Sequence, residues 1–217
     1  MNGFDRLARP YRWMEYLSFG RALERCRFHF LPQLHTTQRA LLLGDGDGRF
    51  TAALLQQAPQ TQAIAIDGSE GMLRALRQRC EAVHAGKRLT TICTLLNEGL
   101  PAAVQTEQFD LIATHFFLDC LSGSEVEHIV HDAMVSTTDN ARWVISEFNL
   151  PRRGAMWLPS RIVVRLLYLA FRILTGLCTQ HLPPYANILR LYGWHLSEQQ
   201  TRLGGLLVSQ LWQREKA

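Results

Sequence analysis

The sequence has no dense block of basic residues: its 23 Lys and Arg are scattered, and the formal net charge is only +4 over 217 residues. The electrostatic stripe that nucleic-acid binding needs is therefore missing. Cysteine is scarce as well. Cys26, Cys80, Cys93, Cys120 and Cys178 are odd in number, widely spaced and without metal-ligand spacing. That pattern argues against a disulfide framework and a zinc site, and for a reducing, cytoplasmic setting. The start of the chain carries Asp5, Arg6, Arg9 and Arg12 with no apolar segment after them, so no signal peptide is expected. No run qualifies as a membrane span. The most apolar stretch, Ser160 to Leu177, is a helix with Arg161, Arg165 and Arg172 in one narrow arc, and is too short and too charged to cross a bilayer. Its remaining circumference must be covered, by the sheet on one side and by a helix, a lipid-like substrate or a peripheral membrane contact on the other. What is present, 47% hydrophobic and 19% charged residues, fits one globular domain with a full core.

Residues 39–69 organise the rest. Ala40 to Leu43 is a short apolar run that stops at Gly44-Asp45-Gly46-Asp47-Gly48, where alternate glycines permit a tight turn and close backbone approach by a ligand. Phe50, Ala53 and Leu54 then share one helical face, and Ala58-Pro59 ends the periodicity. Ala63 to Ile66 is a second buried strand with Asp67 at its carboxyl end. This is a βαβ unit with a ligand crevice at the strand ends, and an acidic residue about 20 positions past such a turn is placed to accept ribose hydroxyls. Asp45 and Asp47 disfavour a pyrophosphate in the turn, since unit charges about 4 Å apart repel by roughly 4 kcal/mol at an effective dielectric near 20. A nucleoside with a cationic amino-acid tail suits them better, and S-adenosylmethionine (SAM) carries both an ammonium and a sulfonium.

These residues resemble the class I SAM-dependent methyltransferases, whose first motif is a strand, an acidic glycine-rich turn and a helix. Asp67-Gly68-Ser69 with Met72-Leu73 looks like that family's second motif, and Phe109-Asp110-Leu111-Ile112 like the opening of its fourth strand. Phe4 to Tyr11 is similar to the opening of quinone-methylating and related small-molecule methyltransferases. Two positions depart from the pattern: Leu42 stands where the family has an acidic residue, and Asn97 is the nearest counterpart of an Asp beside the adenine. The resemblance implies SAM as cofactor, held by Gly44, Asp45, Gly46, Gly48, Asp67, Gly68, Ser69, Met72, Asn97 and His115. It also implies a Rossmann-like three-layer α/β sandwich, with a seven-stranded, mostly parallel sheet of order 3-2-1-4-5-7-6 and an antiparallel last strand.

Downstream, Ser69 caps a helix carrying Met72, Leu73, Leu76, Cys80 and Val83, and a third strand follows at Leu89 to Leu95. A fourth strand, Phe109 to Thr114, delivers His115 to Cys120 to the crevice. His115 and Asp119 are candidate proton acceptors or holders of the methionine end; the alternative is a satisfied core histidine and a carboxylate that orients its loop. Ser122 to Glu125 is a capping box for a scaffold helix, and Arg142 to Phe148 a fifth strand ending on Glu147. Trp194 to Arg202 and Leu206 to Arg214, joined by Gly204-Gly205, read as a closing hairpin.

Together these give a single methyltransferase domain: a helical lid over 1–38, a SAM-binding core over 39–150, a helical insertion over 151–193 and the hairpin over 194–217. The acceptor is a small, apolar or aromatic molecule faced by Tyr11, Phe116 and Glu147. Two other functions stay open, a noncatalytic subunit that keeps the fold and an NAD(P)-dependent oxidoreductase.

Overall fold

The computed structural model describes residues 21–149 and 183–214. Tyr11, the rest of the first 20 residues and the Ser160 to Leu177 stretch lie outside them. Seven strands form one sheet: β1 (Arg39–Leu43), β2 (Gln62–Asp67), β3 (Leu89–Cys93), β4 (Phe109–His115), β5 (Thr137–Phe148), β6 (Trp194–Arg202) and β7 (Leu207–Arg214). Their order is β3-β2-β1-β4-β5-β7-β6, as expected, with β7 antiparallel to both neighbours. Helices α1 (Ala22–Arg27), α2 (Arg49–Gln57), α3 (Glu70–Ala82), α4 (Ala102–Gln105), α5 (Gly123–Ser136) and α6 (Tyr185–Leu191) flank it.

Strand alternation sorts the core into two layers. Leu41, Leu43, Ile112, Trp143 and Ile145 face α5 and α6 with Trp194 and Trp212, whereas Ala40, Leu42, Leu111, Ala113 and Val144 face α2 and α3. Leu42 is fully buried in that second layer beside Phe50 and Leu54, so it is an ordinary core contact. The capping box forms as the sequence implies: Ser122 Oγ accepts from Glu125 N at 3.3 Å, and Ser122 N donates to Glu125 Oε2 at 2.6 Å.

Some boundaries differ from the sequence expectation. β5 starts at Thr137, directly after α5, because Thr137 already pairs with Phe109 across a register irregularity. The stretch taken as a lid is also partly core. Leu23, Cys26, Phe30 and Leu34 are buried, and the carbonyl of Cys26 accepts from Ser209 Oγ (2.7 Å) and Ser146 Oγ (3.3 Å). A helix end leaves carbonyls without intrahelical partners, and here β5 and β7 supply them. That fixes α1 across the carboxyl ends of the strands, beside the glycine turn.

Candidate active site

The turn after β1 bends left-handed three times, at Gly44 (φ 66°), Gly46 (58°) and Gly48 (77°), a conformation that strains any residue with a Cβ. The three glycines differ in what a Cβ would meet. At Gly44 it would stand 2.1 Å from the Phe117 ring, and at Gly48 2.4 Å from Leu76 Cγ. At Gly46 it would meet, among the described residues, only Met72 Sδ at 3.9 Å. Open space therefore lies over the middle of the turn, with Met72 at its side.

Asp67 borders that space from the end of β2. Its Oδ2 accepts from Gly46 N at 3.3 Å and its Oδ1 from Ser69 N at 2.8 Å, which joins the two loops and still leaves lone pairs for a ligand. Burial pushes its carboxyl up to about 6 against those two hydrogen bonds. Ser69 caps α3, accepting from Met72 N at 3.3 Å, and Gly68 lies under Leu95, whose Cδ2 would be 2.7 Å from a Cβ there. Asn97 is exposed in the loop beyond Leu95.

The two turn aspartates do not act as a pair. Asp47 is neutralised by Arg79 at 2.7 Å and Arg49 at 3.2 Å, cations that the sequence pattern had not tied to it. Asp45 turns inward, where its Oδ2 accepts from Thr51 N (2.8 Å) and Oγ1 (2.6 Å), while its Oδ1 has no partner among the described residues. Burial raises its carboxyl despite the charge of Arg27. Arg27, only 8% exposed, comes from the end of α1 and stands with its Cζ 5.8 Å from the centre of the Phe116 ring.

His115, at the end of β4, points into the core. It shares its strand face with Leu111 and Ala113, so its ring packs at 4.2 Å against Phe50 beneath the turn, with Nδ1 3.0 Å from Ser146 Oγ. Burial, aided by Arg27, drives its pKa well below the ordinary value, and the imidazole stays neutral. The chain then reverses at Phe116, whose φ of 55° is left-handed and is held by its N–H on Ser146 O at 2.7 Å. Phe117 N and Leu118 N both donate to Glu147 Oε1, at 3.1 and 2.8 Å. Asp119 follows, 8% exposed and pushed up to about 6 by burial. Glu147 has no exposure, and its carboxyl is raised well above the ordinary range by burial and then by Asp119.

Two residues of this cluster escaped sequence reasoning. Tyr185 opens α6, and its phenol is raised by burial and by the charges of Glu147, Cys26 and Asp119, which places it among them. Pro183-Pro184 before an apolar periodic run was the available signal for that helix start. Arg27 carried no signal beyond lying in an aromatic-rich segment. A separate groove of about 380 Å³, lined by Arg39, Gln62, Thr90, Ile92, Glu107 and Phe109 among others, opens by the amino-terminal ends of β1 and β2 and shares no residue with this site.

Residues 40–138 match the family model described as a methyltransferase domain. Over those residues the chain is similar to that family. The chain resembles in fold the mitomycin 7-O-methyltransferase MmcR, at 15% identity and TM-score 0.67, over 90% of this chain and 54% of that one. It also resembles an O-methyltransferase family protein from Burkholderia thailandensis, at 16% identity and TM-score 0.69, over 90% and 58%. The N-methyltransferase NodS from Bradyrhizobium japonicum WM9, solved with S-adenosyl-L-homocysteine (SAH), is similar at 16% identity and TM-score 0.62, over 89% and 88%. The chain thus spans little more than half the length of the first two. No curated protein matches the chain by sequence. Among the described residues no helix is long and apolar enough to cross a membrane.

Proposed function

We propose that this domain binds SAM over the glycine turn and methylates a small, apolar or aromatic acceptor. The observation that carries the reading is the open space above Gly46, bordered by Asp67 and Met72, between two glycines whose own Cβ positions are filled. The residues fit the cofactor. Asp67 accepts the ribose hydroxyls, Gly46 permits backbone approach, Met72 and Gly68 flank the nucleoside, and Asn97 reaches the adenine edge. Asp45 and Arg27 place an anion and a cation together under the turn, the pairing that an amino-acid zwitterion requires.

When bound, SAM supplies an electrophilic methyl on sulfur and a neutral leaving group. The protein's part is proximity and orientation, with removal of a proton where the acceptor has one to lose. In this reading Asp119 takes that proton, and the buried, neutral His115 does not. Phe116 and Phe148, with ring centres 5.3 Å apart, cluster with Leu206 and Leu207 beside Glu147 and give the acceptor side an apolar wall.

The antiparallel β7 argues against an NAD(P) oxidoreductase; with Asp47 neutralised, the charge argument against pyrophosphate rests on Asp45. A cytoplasmic setting agrees with Cys26 and Cys80 being buried thiols. Calorimetric titration tests the proposal: SAM and SAH bind with one-to-one stoichiometry and NADPH does not. A protein that takes NADPH and refuses SAM overturns it.

A further inference from the structure

Glu147 is fully buried, and both lone pairs of its Oε1 are engaged by the N–H groups of Phe117 and Leu118. A proton on this carboxyl therefore sits on Oε2, which has no partner among the described residues. The same two N–H bonds hold the turn that carries Asp119, and the backbone N–H of Asp119 also faces Glu147. Among the described residues, Cys120 from the same turn and Tyr185 from α6 interact with both carboxyls, and Cys26 from α1 with Glu147; each of the three is an acid. Two carboxylates enclosed in this way do not both ionise, because each charge is desolvated and repelled by the other.

We propose that Asp119 and Glu147 hold one proton between them and, as a pair, take the proton that the methyl acceptor gives up. This rests on the methyl-transfer reading above and narrows it: the acceptor's nucleophilic atom carries a hydrogen, as in a hydroxyl or N–H compound. A lone pair on that atom forms the bond to the methyl carbon, and the electron pair of the broken C–S bond stays on sulfur. The acceptor's proton passes to Asp119, which leaves both carboxyls of the pair neutral, with the Glu147 proton on Oε2. Both carboxyls are shifted upward, Asp119 to about 6, which keeps a proton in the pair at neutral pH and leaves one site to fill.

The test is carboxyl ¹³C NMR of the full chain labelled at Asp and Glu, titrated from acid to alkaline pH in wild type, Asp119→Asn and Glu147→Gln. In wild type one proton remains on the pair at pH 7. Asp119→Asn removes the repelling charge and lowers the Glu147 midpoint by at least a unit. Glu147→Gln, whose amide oxygen still accepts from Phe117 and Leu118, abolishes the retained proton without unfolding the protein. Two carboxyls that ionise independently below pH 5, or a Glu147 midpoint unmoved by Asp119→Asn, overturn the shared proton. With 1,2-dihydroxybenzene as probe acceptor, Asp119→Asn lowers the rate about 10²–10⁴-fold. A rate within tenfold of wild type overturns the proton-accepting role. SAM titration of the same samples separates the two claims: wild type that refuses SAM fails the methyl-transfer reading, and wild type that binds SAM with both carboxyls ionised fails the pair.

Discussion

Gly46→Ala isolates the cofactor site from the fold. In the free protein the new methyl group meets only Met72 Sδ at 3.9 Å, so the cost is the left-handed backbone, φ 58°, which strains an alanine by about 1 kcal/mol. For a chain of this size that lowers the melting temperature by about 2–4 °C. The ligand-bound state pays differently. A methyl forced into a filled contact costs about 1–3 kcal/mol, so the SAM dissociation constant rises roughly five- to 150-fold. The assay is thermal melting with and without SAM, beside calorimetry. At a hundred times its dissociation constant SAM stabilises wild type by about 2.7 kcal/mol, and at the same concentration Gly46→Ala loses about a third to nine-tenths of that increment. Gly48→Ala is the contrasting control, because its Cβ would lie 2.8 Å from the Leu76 backbone Cα and the helix-on-helix contact itself must shift. A Gly46→Ala protein that melts slightly lower yet binds SAM as wild type does would refute the placement of the ligand over this turn.

Asp67→Ala loses charge-assisted hydrogen bonds of about 1.5–3 kcal/mol and weakens SAM roughly ten- to a hundredfold by calorimetry. In wild type the affinity falls as pH drops through about 6, where Asp67 takes a proton and ceases to be a full acceptor. For Glu147 the folded-state pKa is raised, so between the ordinary carboxyl value near 4.3 and that higher value the unfolded chain has released a proton the folded chain still holds. This contribution is therefore intact at acid pH and lost as pH rises, so wild-type stability in urea titrations is expected to decline from pH 5 to 8 and Glu147→Gln to flatten that decline. His115→Asn breaks the bond to Ser146 and costs about 1–3 kcal/mol of stability, but leaves the pH dependence of turnover unchanged because the imidazole is neutral throughout.

The βαβ unit and the closing hairpin were legible because local chemistry determines them. Leu41 and Leu43 on one side and Ala40 and Leu42 on the other need no partner information to define a strand buried on both faces. Glycines that adopt positive φ announce the turn, and Gly204 at φ 63° announces the hairpin. Strand boundaries were less so. β3 ends at Cys93, two residues short of the apolar run, because β2 ends at Asp67 and leaves Thr94 and Leu95 without a partner strand.

The site's electrostatics were the illegible part, since charge pairing is a tertiary property. Asp45 and Asp47 look equivalent two residues apart, and the position of Arg79, 32 residues on and presented by α3, joins Arg49 in making one of them a structural ion pair. His115 and Asp119 look equally available in the sequence. Strand alternation sends the histidine under the turn, while the left-handed residue Phe116 reverses the chain and sends the carboxylate toward Glu147. That reversal rests on Glu147 itself, whose Oε1 holds the two N–H groups that follow Phe116. The residue that shapes the turn is thus also the one whose proton affinity Asp119 raises. Replacing Glu147 by alanine would remove both functions at once, whereas glutamine removes only the second.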